Sequence, residues 1–292
     1  MKRCVFILTI VLMSGAICMA QVLYLSINKD VHNGSEQEAH GLKIVLEGQR
    51  TVLQRFDGVK DENHFGDCNE TVENDETILW WHDPLRGENN EPRPIPHCEW
   101  VHIGYRLDLP AKILEVYWTD ENGNRIGDVI GQPTQEVIFD PDSPNLELEI
   151  TNNLKNEMTV SVELVGYAIV EKDIPLEELN AGNSLFNSNN LTPFAGANGN
   201  IQLTSGSPER FDIPRVPNKP DTYAIYLKRG KNGGDGNTVV YRDFGQFGPI
   251  PEWEPIPGTG FPTVSLWGLI VMALLLAMAG AIVIRRRQRV AT

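Results

Sequence analysis

Hydrophobic and polar side chains alternate with a period of two along much of the chain. In the clearest run, Leu146, Leu148 and Ile150 alternate with polar neighbours, and residues 158–164 repeat the pattern after the polar segment 152–156. Alternation of this kind is typical of a strand with one buried face, and a short polar break favours a turn. We therefore expect these two runs to form an antiparallel hairpin.

A second hairpin is expected where Asn122-Gly123 separates apolar runs at residues 113–118 and 126–129. Asn-Gly readily supplies the positive φ of a tight turn. Only residues 175–180 indicate a turn of helix. Further strand candidates are residues 22–28, 42–46, 51–56, 77–81, 100–107, 135–139, 167–171, 201–204, 222–228 and 238–243. Many short strands separated by segments with Gly, Pro and Asn predict an all-β fold, an antiparallel β-sandwich of Ig-like or jelly-roll-like type.

At the start of the chain a long apolar stretch replaces the alternation. A short basic segment precedes the apolar run 5–13, and small residues follow it up to Ala20, before Gln21. This order is typical of a secretory signal peptide. We expect residues 1–20 to be that signal, with passage through the Sec translocon and cleavage by signal peptidase between Ala20 and Gln21.

At the other end, residues 264–284 carry no charge. At about 1.5 Å per residue, a helix of this length crosses a hydrocarbon core about 30 Å thick. The basic residues that follow it are Arg285, Arg286, Arg287 and Arg289. Because such clusters stay in the cytoplasm, we expect an inner-membrane intermediate with a basic cytoplasmic tail and the body outside.

The residues before this span carry a resemblance. Residues 261–268 read Phe-Pro-Thr-Val-Ser-Leu-Trp-Gly. With the span and the arginines, they resemble the IPTL-CTERM sorting signal, a relative of PEP-CTERM that typically runs Ile-Pro-Thr-Leu-Ser-Glu-Trp-Gly. The matching residues are Pro262, Thr263, Ser265, Trp267 and Gly268; Phe261 and Val264 are apolar replacements, and Leu266 stands where the family usually has Glu. The resemblance covers only the tail, about residues 261–289.

The resemblance implies a destination and a processing partner. It implies recognition by a membrane-embedded exosortase-type enzyme, removal of the tail, and transfer of the body to the cell surface or extracellular matrix of a Gram-negative-type bacterium. The alternative is a plain membrane anchor that is never cut, because any exported protein can end in an apolar span and arginines.

Between the two ends the chain is strongly acidic. All 39 acidic residues lie between residues 21 and 262, whereas six of the 25 basic residues lie outside that range. Phosphate binding needs a basic surface, so nucleic acid is not expected as a partner. An acidic exported surface fits solubility, or cross-linking by divalent cations. No cofactor is predicted, but Ca²⁺ at the Asx-rich turns 120–124 and 140–142 stays open, although neither is an EF-hand loop.

Composition also indicates how the body is organised. Residues 181–200 are rich in Asn, Gly and Ser, as in a linker or a long surface loop. We expect a domain boundary near Lys172. The predicted units are the signal peptide (1–20), a β-sandwich domain (21–172), a second, smaller β unit (173–248), a Pro-rich stalk (249–262), and the sorting motif with transmembrane helix and Arg-rich tail (263–292).

Two cysteines, Cys68 and Cys98, remain in the body. An oxidising compartment predicts a disulfide between them, worth about 3 to 4 kcal/mol on the loop-entropy model. The competing hypothesis is a copper or zinc site built from Cys98 with His82, His97 and His102. Because no Met follows Cys98 at a suitable distance, we predict the disulfide and no metal site.

Candidate chemistry is otherwise sparse. The tryptophans Trp80, Trp81, Trp100 and Trp118 are candidate carbohydrate platforms, but strand alternation favours core packing for most of them. The chain has no G-x-S-x-G, no H-E-x-x-H, no Walker loop and no dinucleotide fingerprint, so no catalytic residue is predicted.

The sequence favours a structural or interaction protein, with envelope or matrix polysaccharide as a candidate partner. The alternatives are a carbohydrate-binding or adhesive module and an uncharacterised secreted hydrolase.

Overall fold

Antiparallel β-strands account for nearly all of the regular structure. The computed structural model describes residues 23–58, 63–87, 89–140, 142–197, 200–231 and 238–252. The predicted signal peptide, sorting motif, apolar span and arginine cluster lie outside these ranges. Within them, no helix has the length and apolar character needed to cross a membrane.

The strands follow the expected all-β, antiparallel class. They are β1 (Tyr24–His32), β2 (Gly41–Glu47), β3 (Val52–Phe56), β4 (Asn63–Glu73), β5 (Glu76–Arg86), β6 (Glu91–Pro92), β7 (Trp100–Leu107), β8 (Ile113–Thr119), β9 (Arg125–Ile126), β10 (Thr134–Phe139), β11 (Asn145–Thr151), β12 (Val160–Val170), β13 (Asn200–Leu203), β14 (Pro208–Pro214), β15 (Thr222–Lys231) and β16 (Val239–Ile250). Two short 3-10 helices, Leu176–Glu178 and Ser184–Phe186, lie between β12 and β13. The class predicted from the sequence is confirmed for the described residues.

The described strands form three sheets. The largest has the order β13-β12-β15-β16-β1-β7-β3, the second is β10-β11-β14, and the third is β4-β5-β2-β8-β9 with β6 paired to β5. One hydrophobic core receives side chains from all three, among them Ile27 of β1, Trp81 of β5 and Leu148 of β11. The inner face of the seven-stranded sheet therefore packs against the other two sheets.

The outer face of the seven-stranded sheet is covered in part by residues 174–191. Leu176 and Phe186, one in each 3-10 helix, form a second buried cluster with Leu227 of β15 and Phe244 of β16. The single helical turn that the sequence predicts here is confirmed as the first 3-10 helix. The first half of the Asn-rich segment is therefore packed on the sheet, as a surface loop and not as a linker.

One predicted hairpin is wrong, because β11 and β12 lie in different sheets. β11 pairs with β10 and β14, whereas β12 pairs with β13 and β15. The chain crosses between the sheets at buried Asn152, whose Nδ2 donates to the carbonyl oxygens of Met158 (2.5 Å) and Leu203 (3.2 Å). Both strands alternate because each buries one face in the shared core, and alternation alone does not specify the pairing partner.

The described residues show no domain boundary near Lys172. β1 and β7, which precede that residue, are neighbours of β16 and β15, which follow it, in one sheet. The described residues also belong to one compact unit. The expected division into residues 21–172 and 173–248 is therefore not seen, because the first and last strands pair with each other in the middle of the sheet.

Two long strands, β4 and β14, fall where the sequence predicts none. β4 occupies an acidic, turn-rich segment and pairs with β5 over its whole length. β14 begins and ends with proline and completes the three-stranded sheet. Both are edge strands, where proline and exposed charges are tolerated and weaken the apolar signal.

Candidate functional site

Several predicted site residues lie outside the described residues. They are the sorting motif at 261–268, the arginines at 285–287 and 289, and the cleavage pair Ala20 and Gln21. The candidate sites below therefore belong to the body of the protein.

Cys68 and Cys98 are free cysteines. Cys68 lies on β4 opposite Trp81, and its carbonyl oxygen accepts a hydrogen bond from Arg55 at 2.7 Å. Burial raises the pKa of the Cys68 thiol to about 12. Cys98 is exposed in the turn before β7, where its N–H donates to the carbonyl oxygen of Asn33 at 2.9 Å. The predicted disulfide is not formed, because the two cysteines are held by different neighbours.

The histidines near Cys98 in sequence do not converge on it. His82 on β5 contacts Asp83, with 2.8 Å between Nδ1 and Oδ2. His102 on β7 contacts Asp30, with 2.6 Å between Nδ1 and Oδ1. In the described part of the chain, no three His, Cys, Asp or Glu side chains form a group able to hold a metal ion.

The predicted hairpin between β8 and β9 is confirmed, with Trp118 opposite Ile126. Oδ1 of Asp120 accepts from the backbone N–H groups of Asn122 (2.9 Å) and Asn124 (2.8 Å). Hydrogen bonds, first that from the Asn124 side chain to Oδ2 at 3.0 Å, hold the pKa of Asp120 below its ordinary value. These oxygens, considered as calcium ligands from the sequence, close the turn instead.

The adjacent tryptophans of β5 point to opposite faces, as alternation predicts. Trp81 is fully buried, like Trp118, whereas Trp80 is partly exposed on the outer face of its sheet. The Trp80 ring centroid lies 4.7 Å from Lys43 Nζ and 4.5 Å from the His82 ring centroid. Trp80 therefore already packs against two side chains.

On the outer face of the seven-stranded sheet, charged side chains stand opposite one another on neighbouring strands. In strand register, Asp30 of β1 is opposite Arg242 of β16, Arg242 is opposite Arg229 of β15, and Arg229 is opposite Glu163 of β12. The Asp30 and Arg242 side chains are 3.4 Å apart, those of Glu163 and Arg229 are 3.7 Å apart, and Lys231 Nζ lies 3.1 Å from Glu163. Three cations in this row face two carboxylates.

A groove of about 420 Å³ lies beside the two arginines of this row. Residues 181–184 and 186–188 of the Asn-rich loop also line it. The side chain of Arg242 is 41% exposed, and its guanidinium carbon lies 5.2 Å from the ring centroid of Trp100. We call this feature the arginine groove. It offers cations in a concave surface on a strongly acidic protein, which is a suitable arrangement for an anionic ligand.

The inner face of three of these strands, β1, β16 and β15, carries a second row of charges one residue away. Asp243 of β16 stands between Lys29 of β1 and Lys228 of β15, directly opposite each. Lys29 Nζ donates to Asp243 Oδ1 at 3.0 Å, and Lys228 Nζ lies 2.8 Å from Oδ2. All three side chains are fully buried. We call them the buried charge cluster.

Side chains in β10 and in the segment just before it add polar contacts to the buried charge cluster. Gln132 Nε2 donates to Asp243 Oδ1 at 3.0 Å, and Lys228 Nζ donates to Gln135 Oε1 at 2.6 Å. Burial lowers the pKa of Lys29 to about 8 and also lowers that of Lys228, while both ammonium groups favour the ionised form of Asp243. An isolated buried charge is expensive, so this cluster depends on all of its partners.

Three buried tyrosines surround the cluster. Lys29 Nζ lies 5.7 Å from the Tyr105 ring centroid, and Lys228 Nζ lies 5.6 Å from that of Tyr241. The Tyr226 ring lies over Gly245, where an added Cβ would fall 1.9 Å from Tyr226 Cε1. Burial raises the pKa of each of these phenols. The aromatic surround excludes water from the three charges.

Sequence reasoning missed the buried charge cluster. In β1, Lys29 follows the buried residues Leu25 and Ile27 at the same parity and precedes Val31. A lysine at an apolar position of an alternating strand was the available signal. Its partner Asp243 is 214 residues away, so only strand pairing identifies the contact.

The hydrolase alternative requires converging acid–base groups in a cleft. A cavity of about 480 Å³ is lined by titratable and hydroxyl side chains, namely His32, His97, Asp128, Ser161 and Lys231. Burial lowers the pKa of His32. Among the described residues, no hydrogen bond or ion pair joins His32 to Asp128. His32 and Asp128 therefore do not form the hydrogen-bonded pair that general acid–base catalysis uses.

Comparison with known proteins bears on the tail alone. Residues 260–289 match the IPTL-CTERM motif. This match confirms the resemblance predicted from residues 261–289. Neither a curated protein nor a solved structure matches the chain. The IPTL-CTERM match indicates an exported, surface-directed protein with a C-terminal sorting signal.

Proposed function

We propose that this chain is an exported structural or interaction protein of the bacterial cell surface or extracellular matrix. The observation that carries the proposal is the IPTL-CTERM match at residues 260–289. An exosortase-type enzyme recognises the motif and cuts the chain near Pro262 and Thr263. Before that step, residues 264–284 span the inner membrane, and signal peptidase has removed residues 1–20.

The body supports a mechanical role more than a chemical one. It is a β-sandwich in which the last strand, β16, lies in the middle of the large sheet between β15 and β1. Cutting the tail near Pro262 leaves this strand in place. The strong negative charge of the body keeps copies of the protein apart in solution and lets divalent cations bridge them.

The test is the C-terminus of the native protein, mapped by mass spectrometry in membrane, surface and medium fractions of the producing cell. A C-terminus between Gly260 and Ser265 in the surface or medium fraction is the expected result. Retention of Arg285 to Arg287 in every fraction contradicts processing and leaves a permanently anchored protein.

A matched pair of variants links the cut to the motif. Trp267→Ala changes a residue that matches the sorting signal, so we expect the uncut chain to accumulate in the membrane fraction. Leu266→Ala changes the neighbouring residue, which already departs from the family pattern, and should leave processing unchanged. Equal processing of both variants contradicts recognition through Trp267.

The arginine groove favours a second candidate function, binding of an acidic polysaccharide of the envelope or matrix. Arg229 and Arg242 are opposite each other on neighbouring strands, and both line the groove together with the Asn-rich loop. Carboxylate or sulfate groups of a glycan fit paired guanidinium donors, whose contacts weaken as salt increases.

Binding of the full chain to polygalacturonate, with neutral dextran as the comparison polymer, tests this candidate. We expect retention on polygalacturonate that Arg242→Ala reduces several-fold and that salt abolishes. Arg93→Ala is the control, because Arg93 is exposed and pairs with Glu91 elsewhere on the protein. Equal retention of both variants, or none by the wild type, contradicts binding in the groove.

A further inference from the structure

The buried charge cluster places an amine nitrogen against a carboxyl group in a closed, dry environment. Lys29 and Asp243 are directly opposite on adjacent strands, and Lys29 Nζ is 3.0 Å from Asp243 Oδ1. Both side chains are fully buried. We propose that Lys29 and Asp243 condense into an intramolecular amide bond, so that the mature protein has a covalent cross-link between β1 and β16.

Two lysines contact the carboxyl group, and their surroundings differ. Lys228 Nζ also donates to Gln135 Oε1 at 2.6 Å and to the carbonyl oxygen of Pro133 at 3.3 Å. These acceptors stabilise Lys228 as an ammonium ion. Lys29 has only Asp243 as a hydrogen-bond acceptor among the described residues. Its lowered pKa, about 8, agrees with an amine that loses its proton readily. Lys29 is therefore the nucleophile.

The condensation balances without another reactant. The Lys29 ammonium group gives one proton to Asp243 Oδ1, and the resulting amine attacks Cγ. A second proton passes from the nitrogen to the same oxygen, the Cγ–Oδ1 bond breaks, and water leaves. One N–H remains on the new amide, and one positive and one negative charge disappear together.

The neighbouring donors stabilise the charge that develops during this step. Lys228 Nζ lies 2.8 Å from Oδ2, the oxygen that becomes negative when Cγ is attacked. Gln132 Nε2 donates to Oδ1, the departing oxygen, at 3.0 Å. Fixed donors in a water-excluded site stabilise such charge strongly, and the fixed strand register removes the entropy cost of bringing the groups together.

Burial also favours the product over the reactants. The amide replaces two fully buried charges with a neutral polar group, which removes most of their desolvation penalty. The surrounding tyrosines, Tyr105 and Tyr241, exclude the water that hydrolysis requires. After condensation Lys228 keeps its acceptors on Gln135 and Pro133, and the carbonyl oxygen of the new amide.

The bond would join the first and the last of the described strands. Because β1 and β16 lie side by side in the middle of the seven-stranded sheet, a cross-link between them resists unfolding and proteolysis after export. The two free cysteines supply no such link. This inference concerns the body alone and stands independently of how the tail is processed.

Intact mass and peptide mapping of the full chain, isolated from the producing cell and unfolded under reducing conditions, test the bond. We expect the protein to be lighter by the mass of one water than its sequence requires. Trypsin should fail to cut after Lys29, and the peptide ending at Lys43 should be joined to the peptide that begins at Asp243. A measured mass equal to that calculated from the sequence, together with tryptic cleavage after Lys29, overturns the proposal. A cross-link through Lys228 also overturns it.

Variants separate the cross-link from other losses of water. Lys29→Met removes the nucleophile while keeping an unbranched side chain only one atom shorter, and should restore the full mass. Lys43→Met makes the same change on β2, away from the cluster, and should retain the loss of water. A Lys29→Met chain that still lacks one water contradicts the assignment. If this variant does not fold, the wild-type peptide map still decides.

Discussion

Gly245 in the large sheet has no room for a side chain. It lies on β16 opposite Ile27 of β1 and Tyr226 of β15, and the Tyr226 ring covers it. A Cβ at this position would fall 1.9 Å from Cε1, 2.0 Å from Cζ and 2.3 Å from the hydroxyl oxygen of that ring. The ring is itself stacked on Phe247, with 5.4 Å between centroids, so it has little room to move. Gly245→Ala should therefore overpack the core.

The magnitude follows from two opposing terms. Overpacking a well-packed core costs about 1 to 3 kcal/mol, while replacing Gly by Ala recovers about 0.4 to 1 kcal/mol of chain entropy. We expect a net loss of about 1 to 2 kcal/mol in the free energy of unfolding. With a typical urea slope of about 2 kcal/mol per M, the midpoint should fall by about 0.5 to 1 M.

Urea unfolding of the full chain in mild detergent, followed by the fluorescence of the buried Trp81 and Trp118, measures this shift. Gly34→Ala is the matched control, because a Cβ there would meet nothing closer than 3.8 Å. In a Tyr226→Ala background the ring is gone, so Gly245→Ala should become neutral or stabilising. An unchanged midpoint for Gly245→Ala alone, or the same loss in both backgrounds, would refute the overpacking argument.

Three further predictions concern single side chains. At pH 8, iodoacetamide should label exposed Cys98 quickly and Cys68 slowly, because burial raises the Cys68 pKa to about 12; equal rates in the folded protein contradict this reading. Asn152→Ala should lower the free energy of unfolding by about 1 to 3 kcal/mol, measured by urea unfolding, since it removes two buried hydrogen bonds to backbone carbonyls, whereas exposed Asn156→Ala should have little effect. Because the pKa of Asp120 is lowered in the folded protein, its turn is stabilised above the ordinary Asp pKa and loses that stabilisation as pH falls through the folded pKa. Amide hydrogen exchange should show that the turn opens more often as pH falls through that value. The Asp120→Ala variant should show no such pH-dependent increase in opening.

Strand identity was largely predictable, and strand pairing was not. Most strands were visible because one buried face imposes a period of two, and the β8–β9 hairpin was visible because Asn122-Gly123 marks its turn. The predicted β11–β12 hairpin was wrong because the segment after Asn152 leads the chain into another sheet. β4 was missed because an edge strand can carry acidic side chains along its exposed face.

The sequence by itself determined the class of fold, the acidic character of the body and the resemblance of its tail to a sorting signal. These are local properties, since alternation, charge and a short motif are read from neighbouring residues. Only the tertiary structure decided that Lys29, Asp243 and Lys228 meet in the core and that Arg229 and Arg242 share a groove. Such contacts join residues up to 214 positions apart, and they depend on strand order and register, which packing of all three sheets around one core fixes.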